Sequence, residues 1–188
     1  MTPRNLTFTE LERLQSRAND ADREFEMDQD SFRRIYERTA RPIWVFLWRK
    51  TGNAQLADDL LQETYYRFLR SRVQLDSEAH RRNYLFRIAA NLANDSFRSP
   101  QAPLSLSEDV VEFLTSETDH ADRSQKRQDV SRAMSRLPVR QRDALWLAYV
   151  EGSSHQEIAE ILGLRVRSIK VLLFRARRKL AKLLGGSQ

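Results

Sequence analysis

The sequence predicts an all-α protein, two small helical domains joined by an acidic flexible linker. Five Gly and five Pro in 188 residues stand against abundant Leu, Ala, Arg and Glu, a composition that favours helix. Apolar residues recur at i, i+3, i+4 and i+7, and no sustained period-2 run of β-branched residues appears. From Ser99 the helical period gives way to "SPQAPLSLSEDVVEFLTSETDHAD", with two Pro and many Ser and Thr, the composition of a linker. The chain is therefore divided into an acidic N-terminal extension (1–30), a first domain (31–98), the linker (99–127) and a second domain (128–184). Each domain is near the lower limit for a self-sufficient core.

In the first domain "SFRRIYERTARPIWVFLWRKTG" opens with Ser31 as a plausible cap, and Pro42 is where a kink or a restart is expected. Gly52 ends this helix and Asn53 can cap the next, "AQLADDLLQETYYRFLR". On that helix Ala57, Leu60, Leu61, Thr64 and Phe68 form one apolar stripe. Asp59, Gln62, Glu63 and Tyr66 form a polar stripe at an angle to it. A third helix is predicted from about Glu78 to Phe97, capped by Asp76 or Ser77, with Tyr84, Leu85, Ile88, Ala89 and Leu92 as its apolar face.

The second domain starts with the stripe Val130, Ala133, Met134, Leu137. Pro138 at a first-turn position then begins "VRQRDALWLAYVEG", which Gly152 closes. Ser154 and Glu157 fit a capping box, so Glu157 reads as a helix-start device rather than a catalytic acid. Ala159 is small where two helices must approach, and Gly163 is free to take positive φ in the turn. With Ile158, Leu162, Leu164, Ile169 and Leu172 as a little core, this spacing describes a helix-turn-helix.

The net charge of +6 is unevenly spread. Residues 1–30 carry eight acids against four Arg, residues 99–122 carry six acids and no base, and beyond Ile161 there are eight bases and no acid. This asymmetry is the footprint of a partner that is a polyanion, nucleic acid before anionic membrane. On the last helix Lys170, Val171, Phe174 and Arg175 form an outward arc with Arg167 at its start and Arg177, Arg178 and Lys179 beyond. A recognition helix in the major groove needs this combination of base-reading side chains and flanking cations. The absence of Cys fits a reducing compartment and removes thiol and Cys-ligated metal chemistry. The longest apolar run, 43–48, is far short of the roughly 20 residues that span a bilayer, and no signal-peptide pattern opens the chain. The expectation is a cytoplasmic protein with no membrane insertion and no cofactor.

Together the two blocks resemble the extracytoplasmic-function, group 4 sigma factors, promoter-specificity subunits of bacterial RNA polymerase. "ADDLLQETYYRFLR" is similar to that family's D-x-x-Q-E-x-F helix and "YLFRIAANLANDSFR" to its W-L-x-x-I-A-x-N-x-x-x-D-x-x-R helix. "LPVRQRDALWLAYVEGSSHQEIAEILGLRVRSIKVLLFRARRKL" is similar to the family's region 4. The resemblance implies that 31–98 is a region 2 helical bundle and 128–184 a region 4 helix-turn-helix. It further implies that Asp58, Asp59, Gln62 and Glu63 dock on the β′ clamp helices of the polymerase core, with the β flap as a second contact. Gln74, Asp76, Asn91, Asp95 and Arg98 would meet and open the −10 element, and Arg167, Ser168, Lys170, Val171, Phe174, Arg175 and Arg178 would read or anchor the −35 element. The partners implied are core polymerase, promoter DNA and a candidate anti-sigma factor, and no covalent chemistry is implied. The chain departs from the family at Val171 and Leu172, where Ser and Arg are frequent, at Ala90, and at Arg165.

Two other functions compete on the residues alone. A stand-alone DNA-binding regulator shares the C-terminal block but has no need of the Asp59, Gln62, Glu63 stripe. A nuclease could use Asp58, Asp59 and Glu63 as metal ligands, yet His80, His120 and His155 are scattered and neither a Gly-rich phosphate loop nor H-E-x-x-H is present.

Overall fold

The computed structural model describes residues 13, 28–71, 73, 75, 77–96 and 129–185. The acidic extension, apart from residues 13 and 28–30, and the linker lie outside the described residues. What is described is all helix, turn and bend, with no strand, and it forms two compact units divided between residues 102 and 103.

The first unit packs three helices against one another: α1 (Gln29–Thr51), α2 (Ala54–Arg70) and α3 (Glu78–Ser96). The cap of α1 is Asp28, not Ser31: the Asp28 carboxylate accepts from the Ser31 backbone N–H at 2.8 Å. Hydrogen bonding with the Ser31 side chain, and next with its backbone N–H, holds the Asp28 carboxyl below its ordinary pKa. Nor does the helix restart at Pro42; it runs unbroken to Thr51. A helix-interior proline costs about 3 kcal/mol. Beyond it Ile43, Trp44, Phe46 and Leu47 are buried almost completely, and each such side chain contributes about 1.5–3 kcal/mol. Burial therefore outweighs the lost hydrogen bond.

Gly52 ends α1 with φ 64°, the left-handed conformation that glycine adopts without Cβ strain, and Asn53 caps α2 by accepting from the Leu56 N–H at 3.0 Å. Ala57, Leu61, Thr64 and Phe68 face the core as expected, while Leu60 is half-buried. Tyr65 joins them with no exposure at all. Its phenol donates to Thr39 Oγ1 at 2.6 Å, and Thr39 in turn donates to the Ile35 carbonyl. Burial pushes the Tyr65 phenol up, so it remains a neutral donor. Phe32 and Tyr36 pack on the same ring. On α3, Leu85, Ile88, Ala89 and Leu92 are buried and Tyr84 is half-buried.

In the second unit residues 129–135 are helical and are followed by α4 (Val139–Tyr149), α5 (His155–Leu162) and α6 (Val166–Gly185), the last three in mutual contact. Ala133 and Leu137 are buried, whereas Val130 stands exposed. Pro138 is the N-cap of α4, and Gly152 turns the chain with φ 65°. Both halves of the capping box are formed: Glu157 N–H donates to Ser154 Oγ, and Ser154 N–H to the Glu157 carboxylate at 2.7 Å. Gly163 takes φ 63° at the turn, and Ala159 is buried beneath it. The core stripe of α6 is Ile169, Leu173 and Ala176, with Leu172 only half-buried. Leu162 and Leu164 are half-buried as well, and Ile161 takes a core place beside Ile158.

Candidate functional site

The second unit presents its chemistry on α6. Because Ile169, Leu173 and Ala176 fix the buried face, the opposite face is set by helical geometry, about 180° away. Arg167, Ser168, Lys170, Val171, Phe174, Arg175 and Arg178 are all exposed, with Val171 at 47% and Phe174 at 57%. Large apolar side chains at such exposure, among cations, form a surface suited to a polyanion with apolar features along its edge. Among the described residues no ion pair engages Arg167, Lys170, Arg175 or Arg178. One cation of the helix is committed: Arg177 donates to the Tyr149 phenol oxygen at 3.0 Å and so ties α6 to α4. The sequence counts Arg177 among the cations and carries no sign of this tether, since Tyr149 is 28 residues earlier.

In the first unit the polar stripe of α2 lies beside the core. Asp59 is exposed and accepts from Gln55 at 3.3 Å, Glu63 pairs with Arg67 at 2.7 Å, and Gln62 is half-buried. Tyr66 accepts from Arg70, whose guanidinium also lies 5.5 Å from the ring centroid. Asp58 differs from its neighbours. It is half-buried, and its Oδ1 accepts from the indole N–H of Trp44, a side chain 1% exposed, at 2.7 Å. The carboxylate thus fastens α2 to α1.

On α3, Asn91 and Asp95 are exposed on one face, one turn apart. Gln74, Asp76 and Arg98 lie outside the described residues. The connection from α2 to α3 is held at several points: Arg81 Nε donates to the Leu75 carbonyl at 3.2 Å, Ser77 Oγ accepts from the His80 N–H, and Arg38 on α1 pairs with Glu78. Glu78 holds the Arg38 guanidinium pKa above its ordinary value. Behind this face Lys50, 1% exposed, donates to the Asn94 side chain at 3.0 Å and stands over the Phe46 ring.

Among the described residues no group of three His, Cys, Asp or Glu side chains could hold a metal ion. No helix there is long and apolar enough to cross a membrane.

An all-helical pair of units, one carrying a cationic helix-turn-helix and the other an exposed polar stripe, has the build of a transcription initiation factor. The family models agree: Sigma-70 region 2 matches residues 35–102 and Sigma-70, region 4 matches residues 127–180. The ECF RNA polymerase sigma factor SigM of Bacillus subtilis (strain 168) is 30% identical over 153 residues, which cover 79% of this chain and 92% of that one. The RNA polymerase sigma factor CarQ of Myxococcus xanthus is 32% identical over 159 residues, 84% of this chain and 91% of that one. The chain belongs to the extracytoplasmic-function sigma factors, and it directs RNA polymerase to promoters. The fold is shared with the sigma factor RpoE of Bartonella quintana, solved in complex with the anti-sigma factor NepR (TM-score 0.61, 22% identity, 84% of this chain and 98% of that one).

Proposed function

We propose that the two units divide promoter recognition between them and that each works only on the polymerase. The −35 element is read by α6: Lys170, Arg175, Arg167 and Arg178 hold phosphates or base edges, Ser168 adds a hydroxyl, and Val171 and Phe174 contact thymine methyls and groove shape. The single observation that supports this most is the outward face of α6, an exposed arc of cations without carboxylate partners around two exposed apolar side chains.

The same reading gives α2 to the polymerase. Asp59, Gln62 and Glu63 dock on the clamp helices of the β′ subunit, with Asp58 at their edge. The −10 element is met and melted by Asn91 and Asp95 together with Gln74, Asp76 and Arg98. The division into an extension (1–30), region 2 (31–98), linker (99–127) and region 4 (128–184) follows that assignment, with the β flap as the contact of the second unit. An anti-sigma partner fits as well, since a fold neighbour was solved with one. The protein works in the cytoplasm, where its polymerase is.

Run-off transcription with purified core polymerase, with start sites sequenced and melting followed by permanganate, tests this reading. Discrete starts downstream of a shared pair of elements, with reactive thymines at the upstream edge of each start, are expected. Core polymerase that initiates no differently with and without the protein overturns it.

A further inference from the structure

Of the acids on the α2 stripe, Glu63 has the longest side chain, and it is the one held by a cation. Arg67 Nε donates to Glu63 Oε1 at 2.7 Å, and neither residue has a further polar partner among the described residues. Asp59 is shorter and accepts from Gln55 at 3.3 Å, and Gln62 is half-buried. The Arg67 and Glu63 side chains are 54% and 41% exposed, so the pair stands at the surface where a partner can reach it.

The geometry of the pair decides what it leaves free. A carboxylate offers about four lone-pair directions. Arg67 takes one of them on Oε1, and Oε2 is left to an outside donor. An i,i+4 pair with the acid on the N-terminal side is the favourable order on a helix. Arg67 is also a last-turn cation of α2, where the helix dipole favours positive charge. The helix as well as Glu63 therefore keeps Arg67 in place. A long side chain that is ordered only on docking subtracts from affinity the rotamer freedom it gives up there. One already held on the free helix subtracts less.

We infer that Arg67 is a positioning residue for polymerase docking: it fixes the Glu63 carboxylate by one oxygen, leaves the other for a donor on core polymerase, and makes no contact with the polymerase itself. This rests on the reading of α2 as the face that meets core and adds to it the residue that prepares Glu63. The gain is bounded by the strength of the pair. Exposed pairs at this spacing shift a side-chain population about twofold, and that is the contribution to affinity.

The test is competition between differently labelled wild-type and variant chains for limiting core polymerase, so that a twofold ratio is read within one sample. Arg67→Ala should lose about twofold against wild type. Arg67→Lys, which keeps a cation four residues beyond Glu63, should compete as wild type does. In a Glu63→Ala background Arg67→Ala should have no effect, since no carboxylate is left to position. Hydrogen-exchange protection of α2 should be the same in Arg67→Ala as in wild type; a loss of binding that follows a loss of protection, unrelieved in Arg67→Lys, would overturn the inference. An equal loss in both backgrounds makes Arg67 a direct contact and overturns it too. So does a gain in affinity in Arg67→Ala, which makes Arg67 a competitor of the polymerase for the carboxylate. If Glu63→Ala weakens binding while Arg67→Ala competes as wild type does, only the positioning role is wrong. If Glu63→Ala itself competes as wild type does, Glu63 is not a docking residue and the inference falls with that reading.

Discussion

Replacing Asp58 by alanine removes the acceptor of a buried indole N–H. Trp44 is 1% exposed, and its Nε1 donates to Asp58 Oδ1 at 2.7 Å across the α1–α2 contact. A hydrogen bond to a charged group contributes about 1.5–3 kcal/mol, and a buried donor left unsatisfied costs about 1–3 kcal/mol. Asp58 is half-buried, so water can enter the vacated space, and the expected loss is about 1–2 kcal/mol. Truncating a merely exposed carboxylate changes stability by no more than about 0.5 kcal/mol. Asp58→Asn keeps an acceptor in place and should recover at least half of the loss. Because the chain forms two units, a single unfolding free energy is ill defined. The assay is therefore native-state hydrogen exchange read on peptides from α1 and α2, with peptides from α4–α6 as internal reference. Protection in α1 and α2 should fall in Asp58→Ala and stay constant in the reference peptides. Wild-type protection in Asp58→Ala, accompanied by weakened core binding, would refute the reasoning and make Asp58 a docking residue with an incidental contact to Trp44.

Asp59→Ala with Glu63→Ala should lower affinity for core polymerase while changing stability by about 0.5 kcal/mol or less per site; pull-down and thermal melting check this together. Lys170→Ala and Arg175→Ala should each weaken promoter binding by the holoenzyme, by about 1–3 kcal/mol where a base contact is lost and with a flatter salt dependence where a phosphate contact is lost. Val171→Ala and Phe174→Ala should instead shift preference among −35 sequences, a difference that selection from a randomised −35 library resolves. Gly163→Ala tests the turn. A Cβ there meets nothing within 4 Å, so the cost is that of φ 63° alone, about 1–2 kcal/mol in the helix-turn-helix unit, measured by hydrogen exchange of α5 and α6.

Local features were the most legible in the sequence. Gly52 and Asn53, the Ser154 and Glu157 box and the Gly163 turn are each decided by a few adjacent residues, and each forms as expected. The α1 start was not legible, because Asp28 and Ser31 are equally good caps and only the length of helix in front of Ser31 decides between them. In "VLLFRA" two adjacent leucines are 100° apart on a helix, so choosing Leu172 for the core rather than Leu173 missed the stripe that Ile169 and Ala176 define. The outward arc was nevertheless read correctly, since it is wide enough to tolerate that rotation. Continuity through Pro42 and the burial of Lys50 depend on partners far along the chain; Asn94, for instance, is 44 residues from Lys50. Asp58 looked like one more member of an acidic stripe because Trp44 is separated from it by a turn and another helix.

On the proposed reading, the basic helix-turn-helix is half of a reader whose other half requires polymerase. Equilibrium binding of the free protein and of the holoenzyme to one promoter duplex, compared with duplexes scrambled at −35 and at −10 and titrated over salt, tests it most directly. Weak, salt-sensitive and nearly sequence-independent binding is expected of the free protein, and of the holoenzyme tight binding that falls when either element is scrambled. Tight, sequence-specific binding by the free protein, indifferent to the −10 sequence, would contradict it.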